Sequence, residues 1–274
     1  MSATRAPWLA HFGLTATPFT KSVPAADLYQ RPALAEAVAR ISFVVAGSGL
    51  GIVVGDVGVG KTVALRAAVA GLDPLHHHLI YLANPPALGT RGLHVAIVSA
   101  LGVQPRFFRA EVAAQAAEAL AAEEAERHRR VILAFDEAHL LSPAQLEEIR
   151  LLTNQNLDAA SPFAGLLIGQ PTLLRQLRMG VFSALDQRIS MRFAIPAMDL
   201  AESGSYLVHH LKLAGRRDAV FAEDAVSRLH RFAGGIPRAL NNAATAALVA
   251  AASAGKAIVD DACAKAAVAE LTRE

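Results

Sequence analysis

The 274 residues include one cysteine and one tryptophan, and aromatic residues make up only 5% of the chain. A lone thiol, Cys263, excludes an internal disulfide, and a reducing compartment fits. Sparse aromatics beside a hydrophobic fraction of 53%, much of it alanine, suggest a helix-rich globular body and exclude a disordered one. Charge of one sign is also missing. With 26 basic and 24 acidic residues the net charge is +2, which is compatible with nucleic acid and no argument for it. A membrane-length apolar run is absent too. Residues 41–54 come nearest, but they fall short of the ~20 residues a span needs and are broken by Ser42, Gly47, Ser48 and Gly49. A buried helix followed by a strand is the better reading. The start of the chain lacks a charged segment followed by an apolar one, so no signal peptide is read and a cytoplasmic protein is expected.

Periodicity organises what is present. Residues 1–30 read as irregular, with Pro7, Pro18 and Pro24. Helical spacing runs over 33–46, 61–70, 92–101, 110–128, 144–154 and 172–178, and strands are predicted at 51–55, 79–83, 131–135, 164–168 and 192–195. In the helix 110–128, Glu123 with Arg127 and Glu126 with Arg130 are spaced as i,i+4 pairs on an exposed face. His76 to His78 read as a solvated loop, since three adjacent imidazoles cannot all face one metal. Alternating strands and helices imply an α/β fold with a doubly wound parallel sheet. After Pro196 only helical segments follow, at 199–214, 222–233, 238–253 and 259–271. We therefore expect an α/β domain over 1–198 and a small all-helical domain over 199–274.

Gly55, Asp56, Val57, Gly58, Val59, Gly60, Lys61, Thr62 and Val63 follow a strand and open a helix, and the first eight match G-x-x-x-x-G-K-[ST]. The glycines let successive N–H groups turn inward on phosphate oxygens, and the helix start adds its positive dipole end. Lys61 would reach the β and γ phosphates of ATP, and Thr62 would give a hydroxyl ligand to Mg²⁺. The apolar strand 131–135 ends in Asp136 and Glu137, carboxylates at the sheet edge where such folds bind ligands. Asp136 would hold Mg²⁺ through water, and Glu137 would deprotonate the attacking water, so hydrolysis is expected. Asp136-Glu137-Ala138-His139 also spells the helicase signature DEAH, but no second RecA-like domain follows.

With these pieces in place, the chain resembles AAA+ ATPases, in which a helical lid follows the fifth strand. It is similar in particular to the branch holding ExeA-type ATPases and the transposition helpers TnsC, TniB and IstB. The resemblance rests also on His11-Phe-Gly-Leu-Thr-Ala-Thr-Pro-Phe19, Leu151-Leu-Thr-Asn154, Gly169-Gln-Pro171, Leu185-Asp-Gln-Arg188-Ile and Gly235-Ile-Pro-Arg238. It implies that Gln170 is a first sensor, Arg188 an arginine finger acting on a neighbouring subunit, and Arg238 a second sensor. Phe12, Phe19 and Leu28 would wall the adenine or pack against the first helix. Arg91 and Arg106 lie where relatives present basic residues to DNA, and are otherwise solvated charges.

The expected function is an ATP-dependent transposition regulator. It would assemble on double-stranded DNA as a ring or helical homo-oligomer, recruit a transposase, and disassemble on hydrolysis, with no membrane partner. The alternatives are an ExeA-like secretion ATPase, disfavoured because the chain ends at Glu274 without a membrane span or cell-wall-binding domain, and a nucleotide-gated loader of the replication-initiator kind.

Overall fold

The computed structural model describes residues 6–154 and 161–272, so the first residues, on which the reading of no signal peptide leans, lie partly outside it. Five strands, β1 (Leu50–Val54), β2 (His77–Leu82), β3 (Arg130–Phe135), β4 (Phe163–Gly169) and β5 (Ile189–Ala194), form one parallel sheet in the order β2-β3-β4-β1-β5. The central strands β1 and β4 are apolar along their whole length, and β3 after Arg130, because both faces are covered. Val131, Ile132, Leu133, Ala134 and Phe135 are fully buried, and burial of each larger side chain stabilises the fold by roughly 1.5–3 kcal/mol. On one face, Leu50, Ile52, Val54, Leu133 and Phe135 meet Leu93 and Ile97 of the helix Gly89–Ala100, Leu120 of Arg109–Arg127 and Ile149 of Pro143–Leu152. Helices Pro32–Ala46 and Lys61–Ala70 pack on strands of the same sheet through a separate set of buried alanines and aliphatics.

Parallel strands share a carboxyl edge. The register pairs Val54 with Gly169 and Phe135 with Leu167, so the segments leaving β1, β3 and β4 emerge side by side. This edge is where an open α/β sheet offers its ligand site.

A second core belongs to the helices Leu200–Leu213, Glu223–Ala233, Pro237–Ser253 and Asp261–Leu271. Its centre is small. Ala243, Ala244, Ala247 and Ala251 bring Pro237–Ser253 close to Asp261–Leu271 around Leu240, Leu248 and Leu229. Caps define the helix starts, with Asp199 accepting from the Glu202 amide at 2.7 Å and Asp260 from the Cys263 amide at 3.0 Å.

Several sequence expectations change. The first thirty residues are not wholly irregular: Pro7–His11 is a short helix and Ala25–Asp27 a 3₁₀ turn. The segment up to Arg31 groups with Pro196–Glu274, as do Val57–Gly60, while Pro32–Asp56 and Lys61–Ile195 form the sheet unit. Thr15 donates to the carbonyl of Ala214, and the Arg216 guanidinium to that of Phe12 at 3.0 Å, tying the opening segment to the helices. His77 and His78 begin β2 instead of lying in a loop, because they pair in register with Arg130 and Val131. Glu123 is not on an exposed face. It is buried at 2% exposure, held by Arg127, with Arg129 and His78 at 3.8 Å. Arg130 does not pair with Glu126; it opens β3 and donates to the carbonyls of Val45 and Ala46.

Candidate functional site

After β1 the chain turns at Gly55, whose amide donates to the carbonyl of Gly169 at 3.3 Å, locking the phosphate-loop motif to the end of β4. Gly58 and Gly60 have φ of +87° and +110°, a region glycine enters freely and other residues rarely. Lys61 follows, with its side chain buried and its ammonium donating to the carbonyls of Gly55 at 2.8 Å and Asp56 at 3.0 Å. A buried ammonium is costly unless compensated. Carbonyl dipoles help, and phosphate oxygens would supply full opposite charge.

Asp136 leaves the end of β3 buried, with both carboxylate oxygens engaged. Its Oδ1 accepts from the Glu137 amide at 2.9 Å. Its Oδ2 accepts from the Thr62 hydroxyl at 3.3 Å and from the Tyr81 hydroxyl. A hydroxyl and a carboxylate side by side are hard oxygen donors of the kind magnesium takes alongside phosphate and water. Among the described residues no cluster of three or more His, Cys, Asp or Glu could form an all-protein cage. Thr62 and Asp136 therefore fit Mg²⁺. Tyr81 was not legible in sequence. Burial, and then its bond to Asp136, push its hydroxyl pKa up, so it remains a donor at neutral pH.

Glu137 has a φ of +52°, a left-handed backbone uncommon outside glycine. Its carboxylate is half-exposed, with His139 Nδ1 3.6 Å from Oε2. In the helical unit, Gly58 accepts from the amide of Arg238 at 3.3 Å, and a Cβ added to Gly58 would lie 2.6 Å from the Arg238 Cβ. Only glycine leaves room for Arg238 to begin its helix beside the loop.

Residues 45–177 match the model of an AAA domain. The chain is 32% identical over 255 residues to general secretion pathway protein A of Aeromonas hydrophila, covering 89% of this chain and 45% of that protein. It thus spans less than half the length of that relative. Among solved structures it is similar to Cdc6p of Pyrobaculum aerophilum, with a TM-score of 0.69 and 18% identity over 88% of this chain and 67% of that one. It is similar also to the Drosophila ORC bound to DNA, with a TM-score of 0.68 and 15% identity over 99% and 67%. The fold is that of a P-loop AAA+ protein.

Within this AAA+ fold the remaining predicted residues are distributed as follows. Gln170 follows β4, its amide donating to His139 Nδ1 at 3.4 Å. Arg188 closes the helix Ser183–Arg188 directly before β5 and donates to the Thr153 hydroxyl at 3.0 Å. Phe12 and Phe19 are buried in the helical core, Phe19 against the rings of His210 and Phe221. Leu28 is buried as well. Arg91 is exposed and spends its guanidinium on the carbonyls of Phe107 at 3.0 Å and Arg106 at 3.5 Å. The backbone amide of Arg106 donates to Gln115 at 2.9 Å, which fixes this loop. No helix among the described residues is long and apolar enough to cross a membrane.

Proposed function

We propose that this AAA+ chain binds ATP with Mg²⁺ and hydrolyses it, and that it works as the ATPase part of a secretion machine like the general secretion pathway protein A. The observation that carries the chemistry is the convergence of Lys61, Thr62, Asp136 and Glu137 at one sheet edge. Loop amides and Lys61 bind the phosphates. Thr62 and Asp136 hold Mg²⁺, which when bound neutralises charge on the transferring phosphoryl. The Glu137 carboxylate accepts a proton from water as its oxygen attacks the γ-phosphorus and the bond to the β-phosphate oxygen breaks. Arg238 beside Gly58, Gln170 after β4, and Arg188 from a second copy contribute further charge and orientation. The ATP-facing surface lies on the cytoplasmic side, where ATP is.

The secretion reading rests on the 32% identity that runs along 89% of this chain. It reverses the order expected from sequence, where transposition came first because the chain ends at Glu274 without a membrane span or cell-wall-binding domain. The chain's end at Glu274 does not count against it, since the match covers 45% of the relative. The DNA reading leans on Arg91 and Arg106, and Arg91 bonds to its own loop. Glu137→Gln tests the chemistry. It should bind Mg-ATP with wild-type affinity and hydrolyse it at least about a hundredfold more slowly. Turnover at the wild-type rate would remove the catalytic assignment. Binding of the wild-type protein to duplex DNA that appears only with ATP and weakens steeply with salt would restore the transposition reading.

A further inference from the structure

One side chain at this edge belongs to none of the roles above. His139 is turned inward, with its side chain only 8% exposed, and its Nδ1 faces two groups at once. The Gln170 amide at the tip of β4 points a proton at it from 3.4 Å, and the Glu137 carboxylate stands 3.6 Å away. The approach to β4 is close by construction. A Cβ on Gly169 would lie 3.0 Å from the His139 amide nitrogen and 3.3 Å from Nδ1, so Gly169 leaves the space the imidazole fills.

The two neighbours make incompatible demands. An N–H needs a lone pair on Nδ1, whereas a carboxylate needs a proton there. Accepting from Gln170 puts the proton of a neutral ring on Nε2 and leaves Glu137 beyond hydrogen-bonding distance. Carrying the proton on Nδ1 ties the ring to Glu137 and releases the Gln170 amide. One nitrogen serves one partner at a time, and each choice sets the Glu137 carboxylate differently.

We propose that His139 is a positioning residue that couples the tip of β4 to Glu137, leaving the carboxylate unheld while Nδ1 accepts from Gln170 and fixing its direction when that bond is exchanged. This rests on the reading of Glu137 as the base. β4 ends at the phosphate loop through the bond from Gly55 to Gly169, so a shift of the loop around a γ-phosphate reaches Gln170 directly. Asp136 binds Thr62, Tyr81 and the backbone amide of Glu137, and neither contact of His139 Nδ1 involves its carboxylate.

The test compares His139→Asn, His139→Gln and His139→Leu in the full chain, reading affinity for a fluorescent ATP analogue with Mg²⁺, kcat and KM. Asparagine can turn either its amide oxygen or its NH2 toward the Nδ1 position, glutamine toward the Nε2 position, and leucine offers neither. The expected result is a fall in kcat of roughly tenfold to a hundredfold for leucine and glutamine, the scale seen when an orienting partner is lost. Asparagine should recover most of the rate, and analogue affinity should stay within about twofold throughout. Gly169→Ala, which crowds the ring from the other side, should lower kcat in the same way. The Gln170 amide resonance should move in the leucine variant and stay near its wild-type position in the asparagine variant. Equal kcat for all three variants, loss confined to analogue binding, or no difference between asparagine and glutamine would overturn the proposal. If leucine prevents folding, the asparagine–glutamine pair and Gly169→Ala still decide it. Glu137→Gln is run beside them. Should it keep wild-type turnover, the base assignment fails, and that is distinct from a failure of His139.

Discussion

The sheet unit and the helical unit solve opposite problems with buried polar groups. In the sheet unit one group of them stands at the carboxyl edge, where Lys61 and Asp136 are buried at the ends of β1 and β3 beside the inward-turned His139, while others such as Glu123 are paired away from it. In the helical unit they are dispersed and absorbed by packing. His210 lies among the rings of Phe19, Tyr206 and His209, and Ser203 is spent on His230 at 2.8 Å. Polarity concentrated at strand ends builds a reaction site, whereas polarity spread through an alanine-rich bundle only has to be tolerated.

If that contrast is right, changes in the sheet unit should show in turnover and changes in the bundle in stability. Arg188→Ala should give the largest effect. An arginine acting across subunits is worth roughly a thousandfold or more in rate. Thr153, its partner here, keeps a bond to the Arg150 carbonyl at 2.6 Å, so the melting temperature should move little. Mixing this variant with Lys61→Ala should restore part of the activity. If mixing restores nothing and specific activity is independent of concentration, Arg188 is not a finger. Leu248→Ala comes next. Leu248 is fully buried in the helical core, and its truncation should cost about 2–5 kcal/mol in a denaturant titration. A cost near zero would mean that the bundle core is not what holds this unit.

The smallest effect is one of pH. Burial, and then the neighbouring His209, push the His210 pKa from 6.5 down to about 4. Above pH 6.5 the ring is neutral in both folded and unfolded chains. Between pH 6.5 and 4 the unfolded chain takes up the proton and the folded one does not, so stability falls as the pH drops through this window, by about 3 kcal/mol. His210→Phe should flatten unfolding midpoints measured over that window. An unchanged slope would assign the acid sensitivity to other groups.

The sheet was legible because its signals are local. A five-residue apolar run before a glycine loop, or ending in two acids, names its own strand. Lys61, Thr62, Asp136 and Glu137 came from the same short windows. Tyr81 did not, because its meeting with Asp136 depends on the register of β2 against β3, where Tyr81 lies opposite Ala134, and no local pattern sets that register. His139 was visible as a letter in DEAH and invisible as a neighbour of Gln170, which is 31 residues away in sequence. The opening segment was misjudged for the same reason. His11 reaches the Lys256 carbonyl at 2.8 Å, a contact across 245 residues. Glu123 went wrong differently: helical spacing gives a pairing partner, and only the adjoining β2 and the following Arg129 enclose the acid.

The left-handed backbone at Glu137 has an engineering consequence. A non-glycine residue in that conformation costs about 1–2 kcal/mol, which glycine would return. A screen for thermal tolerance would therefore favour Glu137→Gly, and with Glu137 as the proposed base such a protein would be sturdier and inert. At this one position, selection for durability and selection for work pull in opposite directions, so the acid stays only where work is what is selected.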